Sequence, residues 1–128
     1  MENDFITKTA ICITIPKTIK WEDYKKEIDS VADWGQEMNF KVNNLPTKVK
    51  PGDRCYLCYQ GNIIGWMAIS SLGEKEFQCT TTGKEWEKGN YISRSGPFHK
   101  INPVPCKGFR GFKYVTYKVK KKVTDKEK

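Results

Sequence analysis

"RCYLCYQGNIIGWMAISS", residues Arg54 to Ser71, reads as two apolar strands folded back on each other at a tight Gly61-Asn62 turn. Outward from this hairpin the pattern stays strand-rich. "KTAICITIP", residues 8 to 16, alternates Thr9, Ile11, Ile13 and Ile15 against Ala10, Cys12 and Thr14, and Pro16, which has no N–H to give a ladder, ends it. In "TIKWEDYKKEIDSVADWG" the residues Trp21, Tyr24, Ile28 and Val31 recur at three- and four-residue steps, which predicts an amphipathic helix with Thr18 as N-cap and Gly35 as its stop. "MNFKV" is a short strand and "NNLPTKVKPGD" a loop. "EKEFQCTTT" is a further strand, residues 83 to 111 form a Pro/Gly-punctuated stretch of short extended pieces, and "FKYVTYKV" closes the sheet. No repeating βαβ unit emerges. The expected fold is α+β: a small mixed, mostly antiparallel β-barrel with flanking helices.

A chain of 128 residues supports one domain, since at this length roughly two thirds of the unfolded surface is buried on folding. That domain is expected over residues 1 to 119, with residues 120 to 128 as a flexible lysine-rich tail. No apolar run approaches the roughly 18 residues of a membrane span, and the first residues lack the pattern of a secretory signal. The expectation is a soluble, cytoplasmic protein with no membrane partner. Five cysteines, several within apolar runs, read as reduced, buried thiols.

The net charge of +8 is uneven: residues 1 to 87 carry 11 Lys/Arg and 13 Asp/Glu, whereas residues 88 to 128 carry 12 Lys/Arg and 2 Asp/Glu. No acidic residue falls between Glu87 and Asp125. Such asymmetry points to a polyanion partner, because local positive potential concentrates anions. The competing reading of the tail is a solvated end that aids solubility.

Cys55 and Cys58 form a CxxC, but three residues apart on a strand they face opposite ways, and Cys79, His99 and Cys106 supply no second tight pair. Neither a metal nor a cofactor is expected. The single histidine has no Gly-x-Ser-x-Gly elbow, HExxH helix or P-loop around the chain to work with, so no catalytic residue is assigned. The aromatics carry more. Trp34 and Trp86 sit beside charged or glycine residues, as stacking side chains for bases do, while Trp21 and Trp66 read as core. Arg94, with Ser95 beside it, and Arg110 lie in "YISRSGP" and "GFRGF", where small neighbours let a phosphate or base edge come close.

The order of pieces, with Lys50-Pro51-Gly52-Asp53 entering a strand that ends at Tyr59-Gln60 and a return strand carrying Ile64-Gly65, resembles the PUA-like superfamily, particularly its EVE, ASCH and YTH-type members. The resemblance implies a small distorted β-barrel that binds RNA or DNA and, in several branches, holds an extruded modified base in an aromatic pocket. By the same resemblance Trp34, Tyr59 and Gln60 would face the base. Two departures stand: Gln60-Gly61 replaces the family's usual histidine-serine, and no Arg-Asn follows Trp34.

The functional expectation is a non-enzymatic nucleic-acid-binding module, for DNA or RNA, with Trp34, Tyr59, Gln60 and Trp86 near a base and Arg94, Ser95, His99 and Arg110 near phosphate or a base edge. Two alternatives stay open: an ASCH-like enzyme acting on RNA or nucleosides, and a ligand- or protein-binding domain with a solubilising tail.

Overall fold

The period-two runs become strands. In the computed structural model, which describes residues 5–33, 37–78 and 86–120, the order is β1 (Phe5–Ile15), α1 (Trp21–Asp33), β2 (Met38–Val42), β3 (Arg54–Tyr59), β4 (Asn62–Gln78), β5 (Trp86–Pro105) and β6 (Phe112–Lys120). Six strands form one sheet in the order β2-β5-β4-β3-β1-β6. β1 pairs β3 in parallel, from Ile11↔Cys55 to Ile15↔Tyr59, and every other neighbour is antiparallel. The expected mixed, mostly antiparallel α+β domain is therefore present, but the sheet is not closed into a barrel. β2 and β6 remain its two edges, and α1 is the one helix among the described residues.

The sheet nonetheless curls. Residues of β1 and β2, separated by three strands in the sheet order, line one and the same cavity. Register shifts at Ile63/Gly65, Trp66/Ala68 and Ile69/Ser71 in the β4–β5 ladder supply the bend, as bulges raise local twist. They also explain why residues 86 to 105 form one long strand instead of short pieces: Pro97 and Pro103 fall where the register is interrupted, so neither must donate to the ladder.

Alternation gives the sheet two differently occupied faces. On the inner face Ile11, Ile13, Ile15, Cys55, Leu57, Met67, Ile69 and Ile92 pack with Ile28 of α1 and with Met38 and Val42 of β2. On the outer face Ala10, Cys12, Tyr56 and Cys58 are buried, with Trp66, Phe109 and Tyr117 against them. Cys55 and Cys58 thus lie on opposite faces, as strand geometry requires. Burial pushes the Cys55 thiol up to about 11 against the opposing pull of Arg94. Burial, aided by the neighbouring thiols Cys106 and Cys58, also raises Cys12.

Two local expectations shift by a few residues. The hairpin turn is centred on Gln60 (φ 51°) and Gly61 (φ 86°), because Asn62 is already paired with Tyr59; two positive φ values in sequence match the twist of the flanking strands. Thr18 does not cap α1. A turn closed by Ile19 N–H on the Pro16 carbonyl (3.0 Å) takes up Thr18, and the Lys20 carbonyl accepts the first helical bond from Tyr24 N–H (3.1 Å). Glu22 and Asp23 then sit in the first turn, where the helix dipole favours negative charge.

Short β2 is tied down by polar contacts at its N-terminal end. Glu37 accepts from Lys75 Nζ (2.9 Å) and Ser70 Oγ (2.8 Å), and Lys75 also reaches Ser93 Oγ (2.6 Å). The bond from Lys75, followed by that from Ser70, holds the Glu37 carboxyl below its ordinary 4.5 despite partial desolvation. A depressed carboxyl stabilises the fold above its unfolded-state pKa and loses that contribution as pH falls through the folded value. The melting-temperature difference between wild type and Glu37→Gln is therefore expected to be largest near neutrality and to shrink as pH drops below 4.5. A difference that stays constant from pH 7 to pH 3 contradicts it.

Candidate functional site

Three rings from three elements meet beside the N-terminus of α1. Trp21 opens the helix, Tyr59 ends β3, and Phe98 comes from β5. The Trp21 ring centroid lies 5.9 Å from Tyr59 at 40° and 5.0 Å from Phe98 at 62°. Rings tilted this way wall a concavity instead of closing on one another. Tyr24 stacks behind Trp21 (5.9 Å, 27°), and the Tyr59 hydroxyl donates to the Ile19 carbonyl, so the indole and the phenol are both held from behind. The resulting cleft has a volume of about 410 Å³.

Why Phe98 can stand there is a matter of one missing carbon. A Cβ on Gly65 would overlap the Phe98 ring and the His99 carbonyl, so only glycine lets β5 cross β4 this closely. Ile64, Ile101 and Pro103 complete the apolar lining, and Lys25 and Lys100 are the charged groups on it. Among the described residues no carboxylate lines the cleft. Lys25 stands one helical turn after Trp21, its Nζ 3.3 Å from Asp29 Oδ2 in an exposed pair, and Lys100 stands two residues after Phe98 on the same strand face, so both lysines flank the rings for a geometric reason. Flat aromatic walls beside two cations suit a planar heteroaromatic group that carries negative charge next to it.

Of the residues singled out in the sequence, Tyr59 lines this cleft. Gln60 is exposed at the hairpin tip immediately after it. Trp34 lies outside the described residues. Trp86 pairs with Gln78 at the start of β5, and its side chain too lies outside what is described. Arg94 is 2% exposed and lines a neighbouring cavity, its NH1 donating to the Tyr24 hydroxyl (2.8 Å). Ser95 is half-buried opposite Ala68. Arg110 is exposed just before β6.

His99 belongs to the outer face. It stacks on Trp66 (3.9 Å between centroids, 15°), and the Arg54 guanidinium lies 4.2 Å from the Trp66 centroid and 4.1 Å from that of Tyr117. Arg54 also donates to the Tyr56 hydroxyl (2.9 Å). The histidine thus caps a column of stacked groups on the face away from α1, while Phe98, its chain neighbour, points into the cleft. Adjacent strand residues cannot share a face.

No family model, curated protein or solved structure matches this chain. Among the described residues no group of three or more His, Cys, Asp or Glu is placed to hold a metal ion, and no helix is long and apolar enough to cross a membrane.

Trp21, Phe98, Lys25 and Lys100 were not legible as site residues. Trp21 sits on the apolar stripe of the helix, which reads as core, and the half-buried ring is both core and wall. The usable signal was the Trp21–Lys25 spacing, which puts an ammonium one turn from an indole. For Phe98 the signal was the alternation Phe98, Lys100 along one strand face.

Proposed function

We propose that this chain is a non-enzymatic nucleic-acid-binding module that receives one unpaired or extruded base between Trp21, Tyr59 and Phe98, with Lys25 and Lys100 on the flanking phosphates. The observation that carries the reading is the aromatic cleft whose charged lining, among the described residues, is two lysines and no carboxylate. Stacking on an aromatic side chain contributes about 1–3 kcal/mol per base, which offsets the few kcal/mol needed to unstack it. Lys100 lies in the acid-free stretch between Glu87 and Asp125, so the electrostatic half of the interaction has a source in the same region of sequence. The resemblance of Lys50-Pro51-Gly52-Asp53, Tyr59-Gln60 and Ile64-Gly65 to PUA-like domains points the same way. In several branches of that superfamily an extruded modified base is held in an aromatic pocket, and a cleft of about 410 Å³ leaves room for a base with an added substituent.

The test is a titration of short single-stranded DNA and RNA, with and without one methylated base, followed by tryptophan fluorescence at several salt concentrations. Expected are quenching of Trp21, checked with Trp21→Phe, and a log Kd that rises with log salt at roughly 0.7 per phosphate neutralised. Absence of binding at low salt sinks the proposal. A steep salt slope with no dependence on the bases would leave only the electrostatic part and remove the cleft from it.

A further inference from the structure

The cavity next to the aromatic cleft is lined by a buried cation that makes no ion pair among the described residues. Arg94 is 2% exposed, makes a single side-chain hydrogen bond to the Tyr24 hydroxyl, and keeps its buried Nε without any partner. Among the described residues no carboxylate stands within ion-pair distance of it. A guanidinium stays charged in any protein environment, and an uncompensated buried charge is strongly unfavourable. A compensating anion with room to enter would remove that penalty.

The room exists. A cavity of about 290 Å³ opens onto Arg94 between α1, the end of β1 and β2, in the gap where the curled sheet fails to close. Its walls are mostly apolar, from Ile13, Ile15, Pro16, Ile19, Met38 and Phe40, with Thr14, Asn39 and Tyr24 as polar lining and Glu27 exposed on the helix side. We propose that this cavity binds a small monocarboxylic acid with an apolar body, its carboxylate forked on Arg94 and its hydrocarbon against the aliphatic walls. Paired N–H donors of a guanidinium fit a carboxylate in two-point contact. A strongly hydrated inorganic phosphate gains little from mostly apolar walls and is repelled more strongly than a monocarboxylate by Glu27 on the rim, which decides against it. The volume equals roughly ten waters at about 30 Å³ each, room for an acid the size of benzoate or hexanoate. Tyr24 separates the two sites, stacking on Trp21 with its ring and accepting from Arg94 with its hydroxyl.

The experiment uses the full chain and calorimetric titration with benzoate, hexanoate, benzyl alcohol and inorganic phosphate, alongside thermal melts. Saturable binding of benzoate or hexanoate is expected, with benzyl alcohol and phosphate at least tenfold weaker. Arg94→Met should lose at least tenfold in affinity for the acids, and Glu27→Gln, which removes a like charge from the lining, should gain a few-fold. Should Arg94→Met fail to fold, Arg94→Lys decides, since it keeps the charge but loses the fork and is expected to bind at least tenfold more weakly. Equal binding of benzyl alcohol, unchanged acid binding in the Arg94 variants, preference for phosphate, or no saturable acid binding each overturns the proposal. Oligonucleotide affinity reports on the aromatic cleft separately and should be independent of benzoate binding.

Discussion

Replacing Gly65 with alanine is expected to destabilise the fold by about 1–3 kcal/mol, the range for forcing extra carbon into a packed site, and to damage the aromatic cleft at the same time. The new methyl would meet two things, the Phe98 ring and the His99 carbonyl. The ring can rotate away only by leaving Trp21, which dismantles one wall of the cleft. The carbonyl belongs to a strand paired at Gly65↔Lys100 and Trp66↔His99, so it can retreat only by loosening the β4–β5 ladder. Gly73 in the same strand is the internal control: a Cβ there meets nothing within 4 Å. Alanine at Gly73 should change stability little, within about 0.5 kcal/mol as surface changes usually do. Urea unfolding of the two variants checks the pair. Equal midpoints would mean that the close crossing at Gly65 is not needed.

Trp21→Ala is expected to weaken oligonucleotide binding by about 1–3 kcal/mol, or roughly 5- to 150-fold in Kd. Trp21 faces both Tyr59 and Phe98 and is backed by Tyr24, so its removal opens the cleft along one whole side. Because the indole also packs against the inner core, some loss of stability will accompany it. Binding must therefore be measured well below the variant's melting temperature, with circular dichroism confirming the fold. Lys25→Ala separates the two contributions: it should reduce the salt slope by roughly one phosphate contact and leave base preference unchanged. A Trp21→Ala variant that folds and binds oligonucleotide as wild type does would move the site elsewhere, the His99–Trp66–Arg54–Tyr117 column on the outer face being the next place to look.

The acid-free run from residue 88 to 124 contains Lys100, which lines the aromatic cleft, yet the residue the sequence first recommends, Arg94, turns inward. Its neighbours explain why. Tyr91, Ile92, Ser93 and Arg94 are all buried, because β5 is an inner strand covered by α1 on one side and crossed by the Glu37–Lys75–Ser93 contacts on the other. A charged residue in a Gly/Pro-rich sequence reads as a loop cation. Only the pairing of β5 with both β2 and β4 makes it an interior one.

Local pattern alone determined the strand-rich class, the position of the central hairpin to within one residue, the amphipathic helix α1 and the opposite orientation of Cys55 and Cys58. Each of these depends on chain periodicity or on turn chemistry, which operate over a few residues. The open rather than closed sheet, the unbroken length of β5, the approach of Phe98 over Gly65 and the burial of Arg94 were decided by tertiary structure. They depend on which strands become neighbours and where the bulges fall. Those are contacts between residues tens of positions apart, selected by the packing of the whole core, and no window of sequence contains them.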